Sequence, residues 1–125
     1  MDNAEALKKI IDDDKRYKLE AYIFVLEALF YSRKKFKKEG HITGPQLLEG
    51  IRDLALQRFG PLAKMVFEHW GIKMTVDFGN IVFNMVNTKI LGKTDEDRIE
   101  DFEGIYDFDQ TFVQNYKPVF SQFKK

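Results

Sequence analysis

Cysteine is absent from the sequence. Disulfides, iron–sulfur ligation and thiol catalysis are excluded with it, and a reducing compartment is compatible with the chain. Histidine is scarce: His41 and His69 are the only two. Glu68-His69 has no second ligand at helical spacing, and a metal centre normally needs three or four ligands. No metal and no cofactor are therefore expected. Charge of one dominant sign is also missing, because 20 Lys+Arg balance 20 Asp+Glu. A zero balance supplies no general attraction to nucleic acid or to an anionic membrane. The longest apolar run, residues 21–26, is far shorter than the roughly 20 residues a bilayer span requires. The opening Met1-Asp2-Asn3 lacks the basic-then-apolar pattern of an export signal. The expectation is a cytoplasmic protein without membrane contact.

Apolar and aromatic residues are abundant by comparison. Hydrophobic residues make up 44% of the 125, with 12 Phe, 5 Tyr and 1 Trp. That is enough for one core and about one domain, read as a single helical domain over residues 1–125. Asn3 is placed to cap a helix over residues 4–13, with Leu7, Ile10 and Ile11 on one face. Asp12-Asp13-Asp14 opposes the negative helix end, so fraying is expected there. A second helix spans residues 18–38. Ala21, Val25, Ala28, Leu29 and Phe36 form one apolar face; Leu19, Ile23, Leu26 and Phe30 form another. A helix apolar on most sides is expected to be central and buried, with Gly40 as its left-handed stop.

Thr43 to Gln46 reads as a capping box, with Pro45 in a first turn that needs no amide partner. Leu47, Leu48, Ile51, Leu54 and Ala55 continue that helix, and Gly60-Pro61 ends it. Leu62, Met65, Val66 and Trp70 mark a short helix stopped by Gly71. Thr75 then caps a helix over residues 76–88 with Phe78, Ile81, Val82, Met85 and Val86 on its core side. Residues 89–94 and 102–108 are read as two short strands around an acidic tip. From 95 through 109 there are eight acids and one base, Arg98. Phe112, Tyr116, Val119, Phe120 and Phe123 give residues 113–125 and their approach an aromatic character, and Pro118 interrupts any long helix there.

Helix, tight turn, helix and strand pair is the order of a winged helix-turn-helix. The expected fold is thus mainly α, with that order and a short C-terminal β-hairpin. Residues 61–70 would be the support helix, 76–88 the recognition helix and 95–101 the wing tip. The outer face of residues 76–88 offers Val76, Asp77, Asn80, Phe83, Asn84 and Asn87, with no Arg or Lys to grip phosphate or guanine. The acidic tip would be repelled by DNA. Protein contact is therefore the favoured use of such a module, and nucleic acid is not expected as its partner.

Over residues 17–112 a longer pattern stands out. It comprises Ala21-Tyr22, Phe24-Val25, Glu27-Ala28-Leu29, Thr43-Gly44, Leu47-Leu48-Glu49-Gly50-Ile51-Arg52, Phe59-Gly60-Pro61 and His69-Trp70-Gly71. It continues through Asp77-Phe78-Gly79, Ile81-Val82-Phe83-Asn84, Gly92-Lys93-Thr94 and Tyr106-Asp107-Phe108. In these residues the chain resembles the Minf family of short bacterial hypothetical proteins. The resemblance implies bacterial origin and a shared fold, and carries over no activity and no site.

Two motifs invite enzymatic readings. Asp107-Phe108-Asp109-Gln110-Thr111 matches the D-x-D-x-T box of haloacid-dehalogenase-like phosphatases, but that box must end a strand of a large parallel sheet, and 14 residues follow Thr111 here. Asp109 capping a terminal helical turn is the simpler reading. Gly92-Lys93-Thr94 matches the end of a phosphate-binding loop, but Asn87 stands where its first glycine belongs. Arg58 lies near an apolar helix face and is expected either to pair with a carboxylate, Asp107 or Asp97, or to lay its stem over the core with its head in water.

Two surfaces remain as candidates. Val76, Asn80, Phe83 and Asn87 form a stripe opposite the core side of residues 76–88, where a protein partner, a second copy or the aromatic tail 113–125 would cover Phe83. Arg33, Lys34, Lys35, Lys37 and Lys38 form a basic patch, which also has the ordinary role of cations at a helix C-terminus. The reading is a small non-catalytic module acting by protein–protein contact or as a homo-oligomer. Nucleic-acid binding through the basic patch and an enzyme with an unrecognised site are the alternatives.

Overall fold

The computed structural model describes residues 2–92 and 98–114. Five α-helices occupy most of them: α1 Asn3–Asp13, α2 Leu19–Phe36, α3 Gly44–Phe59, α4 Ala63–His69 and α5 Thr75–Asn87. Single 3-10 turns cover Gly60–Leu62 and Ile99–Phe102, and a π-helical turn covers Asp109–Gln114. The mainly α expectation holds. The C-terminal β-hairpin does not, because no strand occurs among the described residues.

The reason lies in how each proposed strand spends its backbone. Residues after α5 close that helix: Lys89 takes a left-handed φ of 66°, and the Ile90 and Leu91 amides both donate to the Met85 carbonyl. This is a helix stop of the Schellman type, which leaves no extended ladder. Farther on, Phe102 turns inward in a 3-10 turn and packs against Gly44 of α3 and Gly79 of α5. The two helices flanking Gly71 are present, but neither wing strand occurs among the described residues. The acidic tip at 95–97, Lys93-Thr94 and the aromatic residues from Tyr116 onward lie outside the described residues.

Local signals explain most helix ends. Thr43 Oγ1 accepts from the Gln46 amide at 3.2 Å, and Gln46 Oε1 accepts from the Thr43 amide at 3.1 Å, so the expected capping box forms. Asp2 rather than Asn3 caps α1, accepting from the Glu5 amide. Its acidic end is matched by cations: Lys9 bridges Asp13 and Arg16 bridges Asp14. Lys37, not Gly40, supplies the left-handed stop of α2, at φ 55°. Thr75 is the first residue of α5 rather than its cap, and the Asp77 carboxylate receives the preceding amides of Lys73 and Met74.

The core is built around the inner face of α2. Phe24 packs against Phe59, Phe67 and half-buried Trp70, with ring centroids 5.6, 5.7 and 5.6 Å away. Phe67 continues the aromatic contacts to Phe78, Phe108 and Phe112. α2 and α3 approach closely because small residues meet at their crossing. A β-carbon on Gly50 would stand 1.9 Å from Ser32 Oγ. Gly71 serves a second close approach: its φ is +91°, and a β-carbon there would meet the Arg16 carbonyl oxygen at 2.0 Å. The Lys18 amide donates to the Trp70 carbonyl beside it, so the α1–α2 connector is fixed to the α4–α5 turn.

The outer face of α2 departs from expectation. Leu19, Ile23 and Phe30 are 42%, 44% and 61% exposed, so α2 is buried on one side only.

Candidate functional site

Asp77, Asn80 and Asn84 of α5 serve internal contacts. Tyr17, from the α1–α2 connector, donates its hydroxyl to Asp77 Oδ1 at 2.5 Å, and Asn80 Nδ2 donates to the Tyr17 oxygen at 2.9 Å. One turn farther along, Asn84 Nδ2 donates to Asp14 Oδ2 and to the Tyr22 oxygen, each at 3.0 Å. The Arg16 guanidinium grips the same Asp14 carboxylate at 2.7 Å. Arg16, helped by Asn84, holds the Asp14 carboxyl well below the usual carboxylate range, and Asp14 in turn raises the guanidinium. Burial, reinforced by Asp77, pushes Tyr17 up, and burial raises Tyr22. Both phenols thus stay protonated at neutral pH and act as fixed donors and acceptors.

This connection places the expected partner stripe in several settings. Asn80 is held by Tyr17. Phe83 is half-buried and meets Phe102 edge-on at 6.5 Å, so the 3-10 turn Ile99–Phe102 lies against it. Val76 is half-buried at the edge of a shallow depression with Thr75, Tyr106 and Phe108. Asn87 is exposed. The Tyr17–Asp77 and Asn84–Asp14 contacts escaped the sequence reading because the partners are 60 and 70 positions apart, and no local spacing announces such a pair.

The basic patch is divided in a similar way. Lys35 bridges Glu49 at 2.9 Å and also Asp53, and both acids raise its ammonium, Asp53 more strongly. Lys38 Nζ donates to Gln46 Oε1 at 3.2 Å. Arg33 Nε donates to the Gly40 carbonyl at 3.0 Å, with its guanidinium 5.7 Å from the Phe30 ring centre. Lys34 and Lys37 are exposed. Three of the five cations thus contribute to holding the α2–α3 corner together.

The two acids of the D-x-D-x-T box take structural roles. Asp107 Oδ1 accepts from the Gln110 amide at 2.9 Å, so Asp107 rather than Asp109 caps the last turn. Asp109 bridges Lys64 at 2.9 Å. Arg58 pairs with Glu27 of α2, not with Asp107. The Tyr106 hydroxyl donates to the Leu48 carbonyl at 2.9 Å, and burial pushes its pKa up. No group of three or more His, Asp or Glu suited to a metal ion occurs among the described residues. No helix among them is long and apolar enough to cross a membrane.

Two hollows are open to solvent, the first apolar and the second of mixed lining. The first is a groove of about 340 Å³ between α1 and α2, formed by Leu7, Ile11, Leu19 and Ile23, with Ala4 and Lys8 at its edges. The second is a chamber of about 280 Å³ between α2, α3 and α5. Leu29, Leu47, Val82, Val86, Leu91 and Phe102 supply its apolar walls, while Arg33 and His41 bring polar groups to it. Neither hollow was foreseen, because each arises where the faces of separate helices meet. Comparison of the chain with protein-family models, with curated proteins and with solved structures finds no match.

Proposed function

We propose that this chain is a non-catalytic interaction module that binds another protein through the apolar face of α1 and α2. The observation that carries the reading is the row Leu19, Ile23 and Phe30 on the outer side of α2, 42%, 44% and 61% exposed. They follow one another at helical spacing, with half-buried Leu26 between the last two. A single exposed leucine is ordinary; a row of them alongside an apolar groove is the usual mark of a contact surface. The groove has the form that receives an amphipathic helix, read through apolar side chains spaced by three or four residues. The divided basic patch supplies no continuous stripe for phosphate, which argues for protein over nucleic acid. The Minf resemblance adds no activity to this reading. The cysteine-free composition agrees with a reducing cytoplasm, where we place the module.

Ile23→Glu tests the proposal. Its side chain is already partly in water, so the monomer should melt within a few degrees of wild type. Affinity capture from the native cell, together with sedimentation for self-association, should show a partner retained by wild type and lost by the variant. Every association surviving Ile23→Glu unchanged would remove this face from consideration.

A further inference from the structure

We propose that the chamber between α2, α3 and α5 is a binding site for a small amphiphilic carboxylate of about eight carbons, its chain inside and its head group on Arg33. The volume sets the size. An apolar cavity of about 150 Å³ accepts a benzene ring. By the same ratio, the 280 Å³ here has room for roughly ten heavy atoms. The chemistry of the walls sets the class. Leu29, Leu47, Val82, Val86, Leu91 and Phe102 offer nothing that would hold a polar chain. Phe102 is a firm wall: it is 4% exposed and lodged against Gly44 and Gly79.

Arg33 sets the charge of the head group. It is half-buried, lines the chamber, and gives its Nε–H to the Gly40 carbonyl. That bond orients the guanidinium and leaves the donors of its two terminal nitrogens. Among the described residues no carboxylate lies within ion-pair distance of it, whereas Lys35 on the same turn has two. A planar guanidinium with both terminal nitrogens available is the group best matched to a carboxylate, which it can hold through two parallel hydrogen bonds. His41 and the first residue of α3, Gly44, line the same chamber. An acyl or aryl-alkyl carboxylate meets both demands; a nucleotide is too large, and a sugar of fitting size would bring hydroxyls against walls that leave them without partners.

Octanoate is the probe, with octanol as its uncharged counterpart. Titration of the full chain followed by amide and methyl NMR should move Val82, Val86 and Leu29 signals with octanoate, and more weakly with octanol. Arg33→Gln should weaken octanoate roughly ten-fold or more, the worth of a charged hydrogen bond, and leave octanol unchanged. Arg33→Lys, which keeps the charge, should restore part of the loss. Val86→Trp should fill the chamber and abolish binding of both probes while the melting transition persists. The wild-type map keeps the test decisive even where a variant folds badly. Absence of octanoate binding, equal affinity for octanoate and octanol, or shifts confined to Leu7 and Ile23 of the other groove would each overturn the proposal.

Discussion

The outer faces of α2 and α5 exchange the roles their compositions suggest. α2 shows Leu19, Ile23 and Phe30 to solvent, whereas the asparagines of α5, Asn80 and Asn84, are taken up by internal hydrogen bonds. Apolar residues are not covered merely for being apolar, nor polar ones exposed for being polar. What decides is whether another segment of chain arrives with matching groups. The α1–α2 connector reaches α5 bearing Tyr17 and Asp14, which satisfy amides and carboxylates there. The groove beside Leu19 and Ile23 receives no such segment among the described residues.

The contrast is sharpest within α2 itself. Phe24→Ala on the inner face should lower unfolding free energy by about 3–5 kcal/mol, since it empties the centre of the aromatic cluster. Ile23→Ala, one position away, should change it by no more than about 0.5 kcal/mol. Urea denaturation of both variants measures the difference, and equal losses would break the distinction between the two faces.

A second comparison sets Asn84 against Asn87 on α5. Asn84→Ala removes the donor shared by Asp14 and the buried Tyr22 oxygen, and should cost about 1–3 kcal/mol. Asn87→Ala alters an exposed side chain and should cost less than about 0.5 kcal/mol. If Asn84→Ala melts like wild type, the internal network contributes nothing to stability.

The smallest effect concerns acid. Arg16 holds the folded-state Asp14 carboxyl below its unfolded value. The stabilisation from this pair is therefore complete above the unfolded pKa of about 4 and is lost as pH falls toward the folded value. Arg16 is mostly exposed, so the contribution is about 1 kcal/mol or less. Asp14→Asn should melt slightly below wild type at pH 7, with the gap closing under pH 4. A gap that is constant with pH would show that the charge on Asp14 is not what Arg16 and Asn84 stabilise.

How far the sequence could be read follows from the range of each interaction. The Thr43–Gln46 capping box, the Gly71 stop and the apolar side of α5 depend on residues within one or two turns, and each was readable. The Arg58–Glu27 pair and the Tyr17–Asp77–Asn80 contacts join distant helices, and nothing local encodes them. The expected hairpin failed for a related reason. Phe102 and Phe108 are spaced as strand residues are, yet each is buried by packing onto helices rather than by pairing with a neighbouring strand. The two hollows were invisible because a cavity is a property of facing elements, not of any one of them.

The α2–α3 crossing has an evolutionary consequence. Ser32 is fully buried, its hydroxyl has no hydrogen-bond partner among the described residues, and it occupies the space where Gly50 has no side chain. The two positions therefore share one allowance of volume and should drift as a pair. Ser32→Gly can come first and open position 50 to alanine; Gly50→Ala arriving first meets a collision that selection would remove. A library randomised at both sites should return small residues in complementary combinations, and the order of substitution, more than the identity of either residue, should determine which lineages reach them.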